Sequence, residues 1–467
     1  MTTWAAGFGR DSPGDRGEPW PLPELPASIV ADLARRPVPA DLPRRLWAIG
    51  GATAKVGAAY IATWLRNWPR GAAADPAATR VHLRAAREIL ATMGYLRGGL
   101  LKAGQMLASC SEPLPGEFAE ALERLHFQAP PMHFSLLREH FRNELGCEPE
   151  DAFATFETRA MAAASLGQVH RARLGSGQAV AVKVQYPGIA RAIRSDFAVL
   201  RALLLPLRLA GDWESVKAQI DDLLRIVEGE TDYLAEAAAL REARALFREG
   251  DGILVPRVYP EHSSRRVLTM ELLDGVHLTE FLAGDPPQDL RDRLGAKIIR
   301  AMERLRCAGR LLHGDPHPGN FLFTPRGNLG LIDLGCVRRI DRDDWAWYLR
   351  VERAMRGGAD DAASARALVA AGPDEVLEPE REELLAGLWR WLARAFRHEG
   401  PFDFGSEEFF REGTAALARV LGRCYLRGRP SAALEIRARM GTALILHRLR
   451  ARVDVRAIWE HERAVAR

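Results

Sequence analysis

The chain is poor in cysteine, and its sequence shows neither an apolar core near the N-terminus nor a long apolar run. Its 467 residues include five Cys, an odd number, and no two of them have the spacing of a metal site. This pattern favours a reduced, intracellular protein over a disulfide framework. The N-terminus has no apolar core of the kind that directs secretion. No stretch reaches the length of about 18 uncharged apolar residues that predicts a membrane-spanning helix.

Lysine is also scarce, because only Lys55, Lys102, Lys183, Lys217 and Lys297 occur among the 65 basic residues. A lysine kept in such an arginine-rich chain is expected where the ammonium group itself is needed. The net charge of +4 is too small to predict nucleic acid binding. The length predicts two or three domains, and 47% apolar residues can form a sizeable core.

Composition and periodicity divide the chain into four segments. Residues 1–44 are rich in Pro, Gly and charge and are predicted to form a disordered tail. A helical N-terminal extension is expected over residues 45–149. Strands with one long inserted helix are expected over residues 150–275, and residues 276–467 are expected to be mostly helical apart from one hairpin.

Two segments raise the question of a membrane surface. The stretch from Leu46 to Trp68 is apolar but interrupted by charge, which favours a helix packed on the protein, with a position on a membrane surface as the alternative. Residues 423–467 contain eleven Arg and four acids. That excess is typical of a solvated helical face. The alternative interpretation is attraction to an anionic lipid surface.

An acidic loop and an acidic turn lie on either side of a predicted β-hairpin. Residues 321–323 and 329–332 are apolar runs separated by a turn. Asn320, one of only four Asn, precedes the first strand and Asp333 follows the second, so antiparallel pairing brings them together. Asp315 enters the same end through a loop rich in Pro and Gly. Such oxygen ligands suit Mg²⁺, completed by water and phosphate oxygens.

A second predicted hairpin carries one of the rare lysines. Residues 168–174 and 178–184 flank a Gly-Ser-Gly turn, and this register places Lys183 opposite Val169. The loop that leads into the first strand is rich in Ala. Small residues let backbone N–H groups approach phosphates, and the ammonium group supplies positive charge. We therefore expect nucleotide phosphates to bind beside this loop and Lys183.

A buried lysine needs an acidic partner, because an unpaired charge away from water is costly. A helix predicted from about residue 214 to 247 offers candidates, and its apolar stripe includes Val227 and Leu234. Glu230 falls on that stripe and Glu236 lies close by. Periodicity favours Glu230 as the residue that faces inward, but both remain candidate partners of Lys183.

These motifs, in this order, resemble those of the AarF/UbiB/ADCK-type atypical kinases of the protein-kinase-like superfamily. The VAVK segment ending at Lys183 is similar to the kinase strand that presents the ATP-binding lysine. The HGD segment ending at Asp315, with Asn320, resembles the catalytic loop, and the DLG turn at Asp333 resembles the metal-binding turn. The segment 270–275 is similar to the hinge that receives adenine.

Three further motifs select this family over the small-molecule kinases. They are the KxGQ signature from Lys102 to Gln105, the Ala-rich segment 162–167 in place of a Gly-rich loop, and the ExD signature from Glu230 to Asp232 followed by Glu236. In the family the KxGQ segment folds over the active site. The resemblance implies that Lys102 approaches Glu230 and Asp232, which leaves Glu236 as the partner of Lys183.

The resemblance implies an α+β, bilobal protein-kinase-like fold with helical extensions at both ends. It implies ATP or ADP and Mg²⁺ as cofactors, with Asn320 and Asp333 on the metal, Lys183 on the phosphates and Asp315 acting on the acceptor. The residues that would line the nucleotide site are Ala162, Ala163, Ala164, Ser165, Gly167, Lys183, Glu271 and Leu273.

The resemblance favours an ATPase or kinase that supports isoprenoid-quinone or lipid metabolism. Few residues separate Asp333 from a predicted helix at 343–355 and no APE-like motif follows, which disfavours protein phosphorylation. Expected partners are a nucleotide and either a lipid, a quinone precursor or an anionic membrane surface. The expected location is cytoplasmic, with attachment to the inner face of the membrane left open. Two alternatives remain, a nucleotide-binding pseudokinase scaffold and an aminoglycoside- or choline-type phosphotransferase.

Overall fold

The computed structural model describes residues 132–164, 166–204, 217, 221, 224–357, 378–422 and 430–466. The predicted tail, most of the predicted N-terminal extension and the Leu46–Trp68 stretch lie outside these residues. So do Lys102, Gln105 and Ser165.

The first half of the described chain is built on an antiparallel sheet. Its elements are α1 (Phe134–Leu145), α2 (Pro149–Ala152), β1 (Thr155–Phe156), β2 (Ala162–Ala164), β3 (Gly167–Arg173), β4 (Ala179–Gln185), α3 (Ile189–Leu204), α4 (Tyr233–Leu246), β5 (Ile253–Leu254) and β6 (Val267–Glu271). The strand order is β1-β3-β4-β6, with β2 also paired to β3, while β5 joins another sheet. The β3–β4 turn contains Gly177 with a φ of 84°, a conformation that suits glycine. The predicted register is confirmed, with Val169 opposite Lys183.

The two faces of β4 pack against different parts of the protein. Val180, Val182 and Val184 belong to a buried cluster with side chains of α1 and α3. Ala181 belongs instead to the large core that contains α4 and the C-terminal helices. Because side chains alternate along a strand, Lys183 points to the same side as Ala181. The strand therefore directs this ammonium group towards the second half of the protein.

The second half is mostly helical, as expected, but its described residues form two further two-stranded sheets besides the predicted hairpin, which pairs with β5. Its elements are α5 (Leu278–Ala283), α6 (Gln288–Cys307), β7 (Leu311–His313), β8 (Phe321–Phe323), β9 (Leu329–Leu331), β10 (Val337–Arg339), α7 (Arg342–Gly357), α8 (Pro379–Arg397), β11 (Phe402–Asp403), α9 (Glu407–Gly422), α10 (Pro430–Leu449), β12 (Arg452–Val453) and α11 (Val455–Val465). The β8–β9 hairpin is confirmed, with Phe323 opposite Leu329. Helix α6 lies at the centre, and its side chains Leu294, Ile298 and Leu305 are completely buried.

The prediction of one continuous helix from residue 214 to 247 is wrong. Residues 224–229 are helical, the chain turns at Glu230 and Thr231, and α4 begins anew at Tyr233. Asp232 causes the restart, since its carboxylate accepts hydrogen bonds from the backbone N–H groups of Leu234 and Ala235. Leu234, which was placed on the apolar stripe, is half exposed.

Part of the arginine-rich C-terminal segment makes contacts within the protein. Arg463 is bonded to the buried Glu352, and Arg437 to Asp315. Other arginines of the segment are exposed, as a solvated face predicts, and these are Arg450, Arg452 and Arg456. Attraction to anionic lipid stays a prediction.

Candidate active site

The ammonium group of Lys183 lies between two carboxylates that come from different halves of the protein. Its Nζ atom is 2.8 Å from Oε1 of Glu236 in α4 and 2.7 Å from Oδ2 of Asp333, which follows β9. The side chain of Lys183 is only 8% exposed and that of Glu236 2%, whereas that of Asp333 is 30% exposed. The contact thus joins the buried Lys183–Glu236 ion pair to a carboxylate that is partly exposed to solvent.

Helix α4 presents Glu236 to the lysine from its first turn. The Asp232 cap fixes where the helix begins, and Arg265 in turn binds the Asp232 carboxylate at 2.9 Å. The structure therefore pairs Lys183 with Glu236, the partner that the family resemblance implied. Glu230 is 7% exposed, so it does face inward as periodicity predicted. It lies in the turn before α4 rather than on a continuous helix.

The electrostatics of this cluster follow from two acids sharing one buried cation. Burial alone would lower the pKa of Lys183, but the charges of Asp333 and Glu236 raise it well above its ordinary value. Burial, together with the negative charge of Asp333, raises the pKa of Glu236 to about 7, although Lys183 acts in the opposite direction. The lysine therefore stays charged, while Glu236 can gain or lose a proton near neutral pH.

Tyr233 forms one wall around the lysine. The Nζ atom lies 5.1 Å from the centroid of the Tyr233 ring, within reach of a cation–π interaction. Burial raises the pKa of the Tyr233 hydroxyl, with the Lys183 charge opposing that shift. The ring therefore stays neutral and keeps water away from the ion pair.

The loop after β7 is folded by contacts within its own sequence. The Asn320 amide nitrogen donates to the backbone oxygen of Asp315 at 2.7 Å. The Nδ1 atom of His317 accepts from the N–H of Gly319 at 3.1 Å, so His317 supports the turn. Gly314 donates its N–H to the backbone oxygen of Cys336 at 2.7 Å, which ties the loop to the chain beyond Asp333.

The β8–β9 hairpin brings the loop and Asp333 to the same end, as the sequence predicts. The N–H of Ile332 donates to the backbone oxygen of Asn320 at 3.0 Å, so Asp333 follows a residue bonded directly to Asn320. The Oδ1 atom of Asp333 accepts the N–H of Gly335 at 2.9 Å, which closes a tight turn. Because the nitrogen of the Asn320 amide is bonded within the loop, its oxygen is the atom suited to bind a metal.

These residues fit a magnesium ion that is shared with a nucleotide. Within the described ranges, no group of three or more His, Cys, Asp or Glu could hold a metal ion. Mg²⁺ commonly binds one or two protein carboxylates and completes its shell with water and phosphate oxygens. One carboxylate from Asp333 and one amide from Asn320 agree with that mode of binding.

The Ala-rich segment is a strand rather than the expected loop. Ala162, Ala163 and Ala164 form β2 and pair with β3, with Ala164 opposite Gly167. Gly167 has a clear packing role, since a Cβ atom there would lie 2.2 Å from the backbone oxygen of Val184. The three alanines thus pair with the start of β3, where Gly167 lies two residues before the position opposite Lys183.

The segment 270–275, which is expected to receive adenine, begins with the last two residues of β6. The N–H of Glu271 donates to Arg257 O at 2.8 Å, and its carboxylate accepts the Arg257 N–H at 3.0 Å. Leu272 donates its N–H to the backbone oxygen of Ala179 at 3.2 Å. Leu273 lies near Gly330, where a Cβ atom would be 3.5 Å from its Cδ1. The Glu271 carboxylate is therefore bonded to the backbone of Arg257, and its role in nucleotide binding stays a prediction.

The stretch after Asp333 is short, as predicted. Strand β10 pairs with β7, with Val337 opposite His313, and α7 begins at Arg342. Eight residues lie between Asp333 and this helix. The segment thus consists of a strand and a turn. It is too short to form a separate surface on which a substrate peptide could dock.

The sequence did not reveal one contact at the site. The Arg437 guanidinium in α10 is 2.9 Å from Oδ1 of Asp315, and both side chains are largely buried. The two residues are 122 positions apart. The excess of Arg near the C-terminus was the only signal in the sequence, and it did not indicate which Arg reaches the site.

Several known proteins are similar to this chain in sequence. Residues 124–358 match the family described as the ABC1 atypical kinase-like domain, which is about half of the chain. The AarF domain-containing protein kinase 1 of Mus musculus is 31% identical over 257 residues, 55% of this chain and 49% of its own length. The mitochondrial atypical kinase COQ8B of Rattus norvegicus is 28% identical over 453 residues, covering 94% of this chain and 84% of that protein.

The fold has a solved counterpart. The complex of Rv3197 with erythromycin from Mycobacterium tuberculosis superposes with a TM-score of 0.54 at 26% identity, covering 82% of this chain and 96% of the other. The matches to two of the curated relatives, from mouse and from Drosophila melanogaster, span only 49% and 59% of those proteins. Among the helices that the structure describes, none is long and apolar enough to cross a membrane. The matched domain, the bilobal α+β fold and the order of the motifs show that the chain belongs to the ABC1 (AarF/COQ8-type) atypical kinase family.

Proposed function

We propose that the protein binds ATP with Mg²⁺ and transfers or hydrolyses the γ-phosphate. The observation that carries the proposal is the position of Lys183, bonded at once to Glu236 and to Asp333. A lysine held by a helix glutamate and placed beside a metal-binding aspartate is the arrangement that phosphoryl transfer needs. Relatives named as kinases support the same class of chemistry.

Each residue of the cluster has a role in this proposal. Lys183 would contact the α- and β-phosphates, with Glu236 holding the ammonium group in place. Asp333 and Asn320 would hold the magnesium ion, which neutralises phosphate charge when it is bound. Asp315 would orient the acceptor, either a hydroxyl group or water. Most of the rate increase would come from positioning and electrostatics.

The surroundings argue against a protein acceptor. Strand β10 and the turn before α7 occupy the short stretch after Asp333, and both are tied to the loop that carries Asp315. A substrate peptide needs a docking segment there, as in ordinary protein kinases. A small hydroxyl-bearing acceptor or water fits this geometry better.

The test is turnover of Mg·ATP by the full chain, compared with the Asp333→Asn variant. We expect measurable ADP release that stops when the metal is chelated, and a loss of about a hundredfold or more in Asp333→Asn. Asp343→Asn is a matched control, since Asp343 is an exposed carboxylate at the start of α7. Equal turnover in Asp333→Asn, or no turnover and no stabilisation by nucleotide in the unaltered protein, would contradict the proposal.

We further propose that the acceptor or activator is lipid-like, in support of isoprenoid-quinone or lipid metabolism. The similarity to COQ8-type kinases carries this part. Turnover is measured with and without anionic liposomes and simple phenols that resemble quinone precursors. Stimulation would support the proposal and a peripheral membrane position, while its absence would contradict this part and leave the nucleotide chemistry standing.

Two other functions give different results in the same assay. A pseudokinase scaffold would bind nucleotide without hydrolysis, with or without lipid. A soluble small-molecule phosphotransferase would phosphorylate a polar acceptor without lipid. Because a solved relative was captured with erythromycin, a macrolide belongs among the acceptors and ligands tested.

A further inference from the structure

Helix α10 covers the loop that carries Asp315 along one stripe of its surface. A Cβ atom on Gly314 would lie 2.4 Å from Cδ1 of Leu434, and one on Gly441 would lie 2.6 Å from the backbone oxygen of Pro316. Between them, Arg437 is bonded to Asp315. The spacing of Leu434, Arg437 and Gly441 is that of one helix face. The successive loop residues Gly314, Asp315 and Pro316 therefore each contact one residue of this face.

The opposite face of α10 is fixed to the centre of the second half. Glu435 is 1% exposed, and its two oxygens lie 2.6 Å from Nε of Arg439 and 3.3 Å from a guanidinium nitrogen of Arg306 in α6. Burial alone would raise the pKa of Glu435, but Arg306 and Arg439 lower it below its ordinary value. The anchored helix therefore holds Arg437 at a fixed place beside the loop.

We propose that Arg437 is a positioning residue for Asp315, an inference that rests on the role of Asp315 in the proposed function. The guanidinium group engages Oδ1 of Asp315 and so limits how the carboxylate can turn. Arg437 is thus predicted to hold the carboxylate in the direction that the acceptor requires.

The chemical step shows why this matters. As the acceptor oxygen bonds to the γ-phosphorus, the bond from that phosphorus to the β–γ bridging oxygen breaks and ADP leaves. The hydroxyl or water proton passes to Asp315 or to solvent. A carboxylate that Arg437 holds in one direction contributes mainly by orienting the O–H group.

The experiment compares kcat and KM for Mg·ATP in the unaltered protein, Arg437→Gln and Arg437→Lys. In Arg437→Gln we expect kcat at pH 7 to fall about tenfold or more, because the Asp315 carboxylate is no longer held in one direction. Arg437→Lys should restore only part of kcat, because it keeps the charge but lacks the planar fork. KM for Mg·ATP should change little in either variant.

Arg439→Gln is the matched control. It removes a cation from the same helix, two positions away, whose bonding partner is Glu435 rather than Asp315. It should lower the melting temperature and leave kcat nearly unchanged. An unchanged kcat in Arg437→Gln, or an equal loss of kcat in Arg439→Gln, would overturn the inference while turnover of the unaltered protein upholds the proposed function. If Arg437→Gln does not fold, Arg437→Lys decides, since a lower kcat at unchanged KM supports the inference and an unchanged kcat overturns it. Absence of turnover in the unaltered protein would remove both proposals.

Discussion

Lys183 and Asp333 are 150 residues apart in the chain, and their side chains meet at 2.7 Å across the cleft. The lysine comes from the central strand of one sheet, and the aspartate from the end of a small hairpin in the other half. The contact is the link between the two halves on which nucleotide chemistry would depend. Replacing either residue would therefore change the net charge of the cluster that Lys183, Glu236 and Asp333 form.

Replacing Lys183 by Met should destabilise the protein in a manner that depends on pH. It would leave Glu236 and Asp333 facing each other without a cation, at a cost of about 3–5 kcal/mol. Below neutral pH the cost should be smaller, since Glu236 has a pKa of about 7 and can take up a proton. Urea unfolding at pH 5.5 and pH 8.5 measures the difference. A loss of stability that is the same at both pH values would show that the lysine does not balance these acids.

The Glu236→Gln variant should lose a pH-dependent component of stability. A raised pKa means that the folded state holds the proton more tightly than the unfolded state, in which the pKa is near 4.5. The contribution is therefore complete below pH 4.5 and is lost as the pH rises through about 7, for a total of about 3 kcal/mol.

The check is the difference in unfolding free energy between the unaltered protein and Glu236→Gln, followed from pH 4.5 to pH 8. That difference should decline steadily with pH. A difference that is flat across this range, or one that rises with pH, would contradict the raised pKa of Glu236.

Sequence reasoning predicted the parts of the site that depend on local patterns. Alternation along β3 and β4 and the turn at Gly177 set the register of Lys183. The same kind of pattern predicted that Asn320 and Asp333 would share one end of a hairpin. In both cases a short turn joins the two strands, so that few other pairings are possible.

The break before α4 was missed because two local signals disagree. The spacing of Val227, Glu230 and Leu234 continues a helical stripe, while Gly229 and Asp232 are typical of a helix end and a helix start. The cap at Asp232 prevails, since it satisfies two backbone N–H groups that a helix start leaves without partners. The Arg437–Asp315 contact had no local signal at all, because it depends on how α10 packs on a loop 122 residues away.

Binding of Mg·ADP near pH 7 should release protons. A metal ion at Asp333 would cancel the negative charge that helps to raise the pKa of Glu236, so Glu236 would then ionise. With that pKa at about 7, we expect the release of up to about half a proton per site at pH 7.

Titration calorimetry in buffers of different ionisation enthalpy measures this number directly. Glu236→Gln should abolish the release even where it retains nucleotide binding. Proton uptake, or the same release in Glu236→Gln, would assign the titrating group elsewhere.

Asp232→Ala should weaken both the fold and nucleotide binding, because Asp232 sets the start of the helix that carries Glu236. Its carboxylate accepts bonds from Leu234 N at 3.1 Å and Ala235 N at 3.3 Å, and loss of such a cap costs about 1 kcal/mol. Fraying of the first turn would loosen Glu236 and lower the affinity for Mg·ADP several-fold. Arg265→Ala is the matched control, since it removes only the largely exposed ion pair to Asp232, worth about 0–1 kcal/mol. Melting temperature and Mg·ADP affinity are measured for both variants, and equal losses in the two would mean that the ion pair, rather than the cap, holds α4 in place.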